Sequence, residues 1–370
     1  MYLNGEKKKV VMILTNGFNP DIRVYKEALY VAQKEYNVEI LCWDREKKHQ
    51  KDIEILNDKI EVRRFYKKSL YGSGTKQIFA LLSFSKQCRK YLEDNNVNYE
   101  FLHCHDLDGV MAGYLIKKEN TKLVFDMHEF YESRQYVKIK YIIRTIVNYF
   151  QSRCYKIIYV NEQQTIYMKE KNKKKLIYLP NYPEIGKFKG FRFIESDKLR
   201  ISYTGYVRHL IPLENLMKAT SGMENIEVAI NGDGPIYEQL KELEKKYNNT
   251  KITGEFKHED VKRFYENSDV VYVVYNKGNK NDETALPTKL YEAILAKTPL
   301  IVSEDSVMGN FVKENNIGFL VNGTDYNNIR DLLIKLQNNR EILIEKRNNI
   351  QKIVDNYTWE EVVKNLDECY

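Results

Sequence analysis

The sequence predicts an α/β protein built from two doubly wound domains, each a parallel sheet with helices on both faces. Three observations carry that expectation. Short apolar runs alternate with amphipathic stretches along nearly the whole chain, the βαβα rhythm of a parallel sheet. The rhythm pauses from Pro180 to Lys198 and then restarts. Polar and glycine-bearing clusters follow the apolar runs, which is where open α/β sheets bind their ligands.

In the first half the expected strands are Val10–Leu14, Val38–Cys42, Ile60–Phe65, Phe101–Cys104, Leu123–Asp126, Ile157–Val160 and Leu176–Leu179. Helical patterns fall between them, at Val24–Glu35, Gln77–Asp94 and Tyr141–Cys154. Pro180-Asn-Tyr-Pro183 and Ser196-Asp-Lys198 read as a connection. The second half is expected to hold strands Leu199–Thr204, Ile226–Ile230, Lys251–Thr253, Val270–Tyr275, Leu300–Val302 and Gly318–Val321. Helices Leu213–Thr220, Ile236–Tyr247 and Glu259–Asn267 and two or three closing helices lie among and after them. Domains are accordingly expected over 1–185 and 198–355, with 356–370 a C-terminal helix that returns to the first domain.

With 370 residues, 43% of them hydrophobic, the chain can bury two sizeable cores. The net charge of +7 is modest and favours an anionic partner. Nothing in the motifs points to nucleic acid. Cys42, Cys88, Cys104, Cys154 and Cys369 form no Cys-x-x-Cys pair, so a metal knuckle or redox motif is not expected, and the scattered set fits a reducing cytoplasm. The apolar run after Lys7-Lys8-Lys9 is too short for a signal peptide, and no segment approaches the roughly 18 apolar residues that span a bilayer. A cytoplasmic protein is expected, at most peripheral on the inner membrane face.

The stretch that organises the chain is Leu286-Pro-Thr-Lys-Leu-Tyr-Glu-Ala-Ile-Leu-Ala-Lys-Thr-Pro-Leu-Ile-Val302. Pro287 suits a helix entry, and Leu290, Ala293, Ile294 and Ala296 supply an apolar helical face. Lys289 near the helix start suits a phosphate. Glu292, three residues on, can accept hydrogen bonds from a ribose diol. Such a pair on a helix is also what a solvated face looks like. The Pro-x-Lys-x-x-Glu run, followed by Ala and then Pro before an apolar strand, resembles the donor-nucleotide motif of the GT-B glycosyltransferases, family 4 (glycosyl transferases group 1). The resemblance extends in order and spacing from Val10 to Tyr357-Thr-Trp359.

The resemblance implies a GT-B fold with two Rossmann-like domains facing a central cleft, acceptor side first and donor side second. It implies a retaining, metal-independent transferase that takes a nucleotide sugar as substrate, needs no cofactor, and passes the sugar to a glycan or lipid-linked acceptor. Surface polysaccharide or glycoconjugate biosynthesis is the expected setting. In Asn16-Gly-Phe-Asn-Pro-Asp-Ile-Arg23, Gly17 allows close backbone approach and is a donor-binding candidate. Asp21 and Arg23 match an Asp-x-Arg element on the acceptor side; the alternative is a βα loop in which Asp21 caps the helix.

His103-Cys-His-Asp-Leu-Asp108 invites a metal reading. Alternation of His103 and His105 on a strand is read as sending the rings to opposite faces, which argues against a shared ion. Family members carry a similar run, making His105 and Asp106 acceptor-side candidates; Asp106 or Asp108 also reads as a helix cap. In Asp126-Met-His-Glu-Phe-Tyr-Glu132 the resemblance places His128 beside the donor sugar, with Asp126 and Glu129 in support.

On the donor side, Gly205 precedes Tyr206 and Arg208, and Asn231-Gly-Asp-Gly-Pro235 and Ile252-Thr-Gly254 supply Gly232 and Gly254 near the base. Pro287, Thr288, Lys289 and Glu292 complete the set. The chain departs from the family in three places. Tyr206 follows Gly205, with Pro212 six residues further on, where the family has Arg and Lys, so Arg208 is the nearest basic replacement. Thr284 occupies the usual slot of a first Glu, with Glu283 one residue off. Lys297 stands where a glycine usually follows the donor helix. These departures keep a non-catalytic nucleotide-sugar-binding subunit open; a GT-B nucleotide-sugar epimerase is a lesser alternative, because its motifs differ from the Pro-x-Lys-x-x-Glu run.

Two basic segments remain. Tyr136–Lys156 puts Ile139, Ile143, Ile146 and Phe150 on one face, flanked by Lys138, Lys140, Arg144 and Arg153. It reads as a crossover helix packed on the core with a basic rim, or as a helix docking on anionic lipid. Lys169–Lys175 reads as a solvated basic loop.

Overall fold

A computed structural model describes residues 8–19, 21–69, 75–131 and 137–370. Lys7, Pro20, Glu132 and Tyr136, which figure in the motifs above, lie outside the described residues, as do the side chains of Lys138 and Ile139. The chain divides into two compact units, Met1–Pro180 with Val363–Tyr370, and Asn181–Val362.

The first unit holds strands β1 (Lys9–Leu14), β2 (Asn37–Asp44), β3 (Ile53–Asn57), β4 (Ile60–Tyr66), β5 (Phe101–His105), β6 (Lys122–Met127), β7 (Lys156–Tyr159) and β8 (Leu176–Tyr178). They form one sheet in the order β3-β4-β2-β1-β5-β6-β7-β8. All neighbours are parallel except β3 and β4. The unpredicted β3 is an edge strand that leaves Ile53 and Ile55 exposed. Its Ile-Glu-Ile alternation is short, and no residue of the strand is buried. The order reverses between β1 and β5.

The second unit contains β9 (Leu199–Thr204), β10 (Ile226–Asn231), β11 (Thr250–Gly254), β12 (Val270–Val273), β13 (Leu300–Ser303) and β14 (Gly318–Val321), in the order β11-β10-β9-β12-β13-β14. Every pairing is parallel, and the order reverses between β9 and β12. The central strands are buried on both sides, as parallel sheets require. Each unit has its own apolar core, around Trp43, Phe84 and Phe125 in the first and Tyr203, Tyr272 and Ile301 in the second.

The expected closing helix is broken into two 3-10 turns, Val354–Tyr357 and Val363–Glu368, around the short helix Trp359–Val362. Trp359 N donates to Pro183 O at 3.0 Å within the second unit. Leu366 and Cys369 are buried, and Asn365 donates to Tyr178 O at 2.9 Å within the first.

Of the two basic segments, the helix Val137–Arg153 packs Ile143, Ile146 and Phe150 on the first core, as the crossover reading expects. It also leaves Tyr141 and Ile142 exposed on its outer side. The segment read as a solvated basic loop is instead partly anchored. Asn172 is buried, and Lys175 donates to the carbonyls of Gln151 and Ser152 at 3.2 and 3.0 Å, at the end of that helix. Among the described residues no helix is long and apolar enough to cross a membrane.

Candidate functional site

At the carboxyl ends of β5 and β6 the first unit gathers a buried charged cluster. Arg23 opens the helix Ile22–Gln33 and is turned inward. Its guanidinium grips Asp126 through two bonds, of 3.1 and 2.8 Å, and lies 3.0 Å from Glu27 one helical turn on. It also donates to Leu179 O at 2.8 Å. Asp126 in turn accepts from His105 at 3.0 Å and His128 at 2.6 Å. Burial alone would raise the Asp126 carboxyl. The Arg23 and His128 charges, with hydrogen bonds from His105 and His128, outweigh it and hold the group well below its usual range. His128 shows the converse: desolvation would lower it, but Asp126 and then Asp106 raise it to about 9. At neutral pH His128 is therefore an imidazolium and a hydrogen-bond donor.

The expectation that His103 and His105 face opposite ways is wrong. Side chains two apart on a strand share a face, and the rings stack with centroids 4.5 Å apart. His103 Nε2 lies 3.4 Å from the Glu27 carboxylate, and its Nδ1 bonds the Tyr370 hydroxyl. Glu27, His103, His105 and Asp126 offer ligand atoms within 4.8 Å of one another, a spacing that could hold a metal ion. The Arg23 guanidinium already places a fixed positive charge against both carboxylates, so an added cation would meet repulsion rather than a pair of unpaired acids.

Asp21 accepts from Val24 N at 3.3 Å and so caps the first helix. Asp106 is not a cap. It sits at φ +63°, left-handed for a non-glycine residue, and accepts from His128 N and the Tyr131 hydroxyl, at 3.3 and 2.9 Å. It thereby ties the β6 loop in place. Asp108 makes no cap either; it accepts from Gln77 at 2.8 Å. Gly17 is hemmed in: a Cβ there would lie 2.5 Å from the His49 ring, and its carbonyl accepts from Arg64 at 2.9 Å. Glu129 is exposed on the loop after β6.

In the second unit Gly205, Gly232 and Gly254 sit side by side at the carboxyl ends of β9, β10 and β11. Gly205 N donates to Asn231 O at 2.8 Å, and Gly232 bridges Gly254. A Cβ on Gly232 would lie 1.9 Å from Gly205 O, so only glycine allows this approach. Around this rim lies a cavity of about 320 Å³ lined by Gly205, Tyr206, Gly232, Asp233, Glu255 and Phe256. A larger depression of about 820 Å³ lies against the opposite edge of the same sheet, lined by Lys198, Arg200, Lys246 and Lys251 among others. Ligands of open α/β sheets bind beyond the carboxyl ends, which favours the smaller one.

Lys289 rises to the same rim. Its ammonium lies 3.8 Å from the Tyr203 ring centroid, and a Cβ on Gly205 would be 3.3 Å from it. Desolvation is the main reason that its pKa falls to about 7; Glu292 opposes the shift and Arg208 adds to it. Arg208 is half-exposed and reaches Asp282 at 3.3 Å and His209 at 3.0 Å. His209, pushed down to about 4 by burial and the nearby cations, is neutral. Pro287 stands at the N-cap of helix Thr288–Leu295, and neither this helix nor Leu210–Thr220 has a side-chain cap hydrogen bond, which leaves the first N–H groups of both without a side-chain acceptor. Thr288 is exposed. Glu292 is buried and is not a solvated-face residue: Lys187 pairs with one oxygen and the Tyr265 hydroxyl lies 3.2 Å from the other.

The family departures have structural counterparts. Thr284 turns back to its own helix, donating to Lys280 O at 2.7 Å, and Glu283 accepts from Gly278 N at 2.9 Å. The buried carboxylate of this loop is Asp282, which the motif spacing does not reveal. Lys297 adopts φ +53°, the left-handed conformation that a glycine would enter without strain.

The family model of glycosyl transferases group 1 matches residues 191–356. That match spans most of the second unit. The whole chain has the GT-B fold. It superposes on a sucrose-phosphate synthase from Thermosynechococcus elongatus with a TM-score of 0.74 at 14% identity, covering 98% of each chain. A glycosyltransferase from Rickettsia africae gives 0.71 at 13% identity, again over 98% of each. HepE from Anabaena, in complex with UDP and glucose, gives 0.70 at 12% identity over 98% of this chain and 99% of its own. By sequence, no curated protein matches. The matched segment carries the glycine rim, Arg208, Lys289 and Glu292.

Proposed function

We propose that the protein is a retaining, metal-independent glycosyltransferase that moves a sugar from a nucleotide sugar to a hydroxyl acceptor in surface polysaccharide or glycoconjugate synthesis. The observation that carries this reading is the second unit's rim, where three abutting glycines, two uncapped helix starts, Lys289 and Glu292 share the carboxyl edge of one sheet. A nucleoside diphosphate leaves with growing negative charge. Arg208, Lys289 and the free N–H groups stabilise it without a bound cation. Tyr206 and Phe256 offer ring surface for the base, and Glu292 accepts the ribose hydroxyls. HepE, with UDP and glucose bound, supports a nucleotide-sugar donor. In the first unit His128, as an imidazolium held by Asp126, donates to the donor sugar, and Asp21, Arg23, His105 and Asp106 shape the acceptor side. A glycan or lipid-linked acceptor fits the exposed Tyr141 and Ile142 beside Arg144, which suit a peripheral position on an anionic inner membrane face.

The test is turnover by the purified protein against a panel of nucleotide sugars, reading released diphosphate and the anomeric configuration of the product. Transfer with retention is expected. Binding without transfer or hydrolysis for every donor would favour the reading as a non-catalytic nucleotide-sugar-binding subunit, which the loss of charge at Thr284 and Pro212 supports.

Lys289 gives this reading a pH signature. With a free pKa of about 7, half of its ammonium is deprotonated at neutral pH. A diphosphate favours the charged form, so binding should take up a proton, and affinity should fall up to about tenfold per pH unit above 7. Calorimetry at pH 8 in buffers of different ionisation enthalpy would read that uptake. Lys289→Met should abolish it, and equal uptake in the variant would remove Lys289 from the anion site.

A further inference from the structure

The segment after the first unit is not a plain connection. Tyr182 packs edge-on against Tyr291 at 4.5 Å and against Tyr357 at 5.5 Å. The 3-10 turn Ile185–Phe188 then presents two successive side chains to the donor helix region. Phe188 is buried and meets the Tyr265 ring edge-on at 5.5 Å. Lys187 pairs with the Glu292 carboxylate, and the two side chains are only 9% and 10% exposed. Tyr265 sits between these contacts, its hydroxyl 3.2 Å from the other Glu292 oxygen and 3.3 Å from Lys289 O.

We propose that Lys187 is a positioning residue that, with Tyr265, fixes Glu292 to select ribonucleotides over 2′-deoxyribonucleotides. The inference rests on the reading of Glu292 as the ribose acceptor. A carboxylate has about four lone-pair sites. Lys187 takes one on the first oxygen and Tyr265 one on the second, which leaves one on each. Two fixed acceptors on a planar group match the two hydroxyls of a ribose. Lys187 also neutralises a charge that is costly to bury unpaired. A 2′-deoxyribose satisfies one acceptor and strands the other. Without Lys187 the carboxylate is free to turn, and it meets one hydroxyl or two with little difference.

The experiment measures dissociation constants for UDP and 2′-deoxy-UDP, and for ADP and 2′-deoxy-ADP, on the full chain by calorimetry, with melting curves as the check on folding. The wild type should prefer the ribonucleotide by about 10- to 100-fold, the equivalent of one lost hydrogen bond to a charged group. Lys187→Met should reduce that preference to within about threefold, and Lys187→Arg should restore most of it, which a merely structural role would not do. If Lys187→Met fails to fold, Tyr265→Phe, which keeps the ring against Phe188, should still lower the preference severalfold. Full preference in both folded Lys187→Met and Tyr265→Phe, with the preference lost in Glu292→Ala, would overturn the inference and leave the ribose reading standing. Full preference in Glu292→Ala, or no binding of any of these nucleotides by the wild type, would overturn the ribose reading and the inference with it.

Discussion

His128→Ala is expected to lower turnover by about two orders of magnitude while nucleoside diphosphate affinity stays within a few-fold of wild type. His128 belongs to the first unit, whereas the residues proposed to hold the diphosphate all belong to the second. The variant removes a charged donor held 2.6 Å from Asp126, and with it the positioning and charge stabilisation that such a group supplies at a reacting centre. Because Asp126 and Asp106 lift His128 to about 9 against the cost of its burial, the imidazolium persists through neutral pH. Wild-type turnover should therefore decline as pH rises through about 9, and His128→Gln, which cannot titrate, should lack that limb. Paired measurements of diphosphate affinity and transfer rate on a well-folded variant decide the matter. Turnover within a few-fold of wild type would remove His128 from the site, and a parallel loss of affinity and melting temperature would make it structural.

Arg23→Met is expected to destabilise the first unit by about 3–5 kcal/mol, because removing one partner of a buried ion pair leaves the other charge uncompensated. Here Glu27 would lose its cation, and Asp126 would keep only His128 as a charged partner. Arg23 contacts both Asp126 and Glu27, and these carboxylates are fully buried. Glu27, raised to about 7 chiefly by burial and by Asp126 against the pull of Arg23, should then take up a proton near neutral pH. Glu27→Gln in the Arg23→Met background should recover part of the loss, since it removes the stranded charge. Urea unfolding followed by a probe in the first unit would measure both. A loss below about 1 kcal/mol would mean that water, rather than Arg23, compensates the cluster.

The strand pattern was legible because it depends on local periodicity. A buried parallel strand must be a run of apolar residues, and glycine must stand wherever two backbones come as close as those at Gly205 and Gly232. The donor helix was legible for the same reason, with Pro287 at its start and its apolar face in sequence. The edge strand β3 has no buried apolar run, and the closing helix expected as one element was broken where Trp359 N bonds to Pro183 O and the Asn365 side chain to Tyr178 O.

What the sequence by itself determined is therefore the fold class, the placement of the ligand edges and the residue types available there. What only the tertiary structure decided is which of these residues meet. Arg23, Glu27, His103, Asp126 and Tyr370 come from opposite ends of the first unit's sequence, and none of their contacts except Arg23–Glu27 obeys a helical or strand spacing. Asp282 in place of Glu283 or Thr284, and Lys187 on Glu292, likewise follow from how loops and turns pack on the donor helix. Hydrophobic periodicity is a property of neighbours along a chain, whereas pairing of buried charges depends on contacts across distant segments. A buried carboxylate cannot remain unpaired at low cost, so its partner must exist, but only the folded chain shows which lysine or arginine it is.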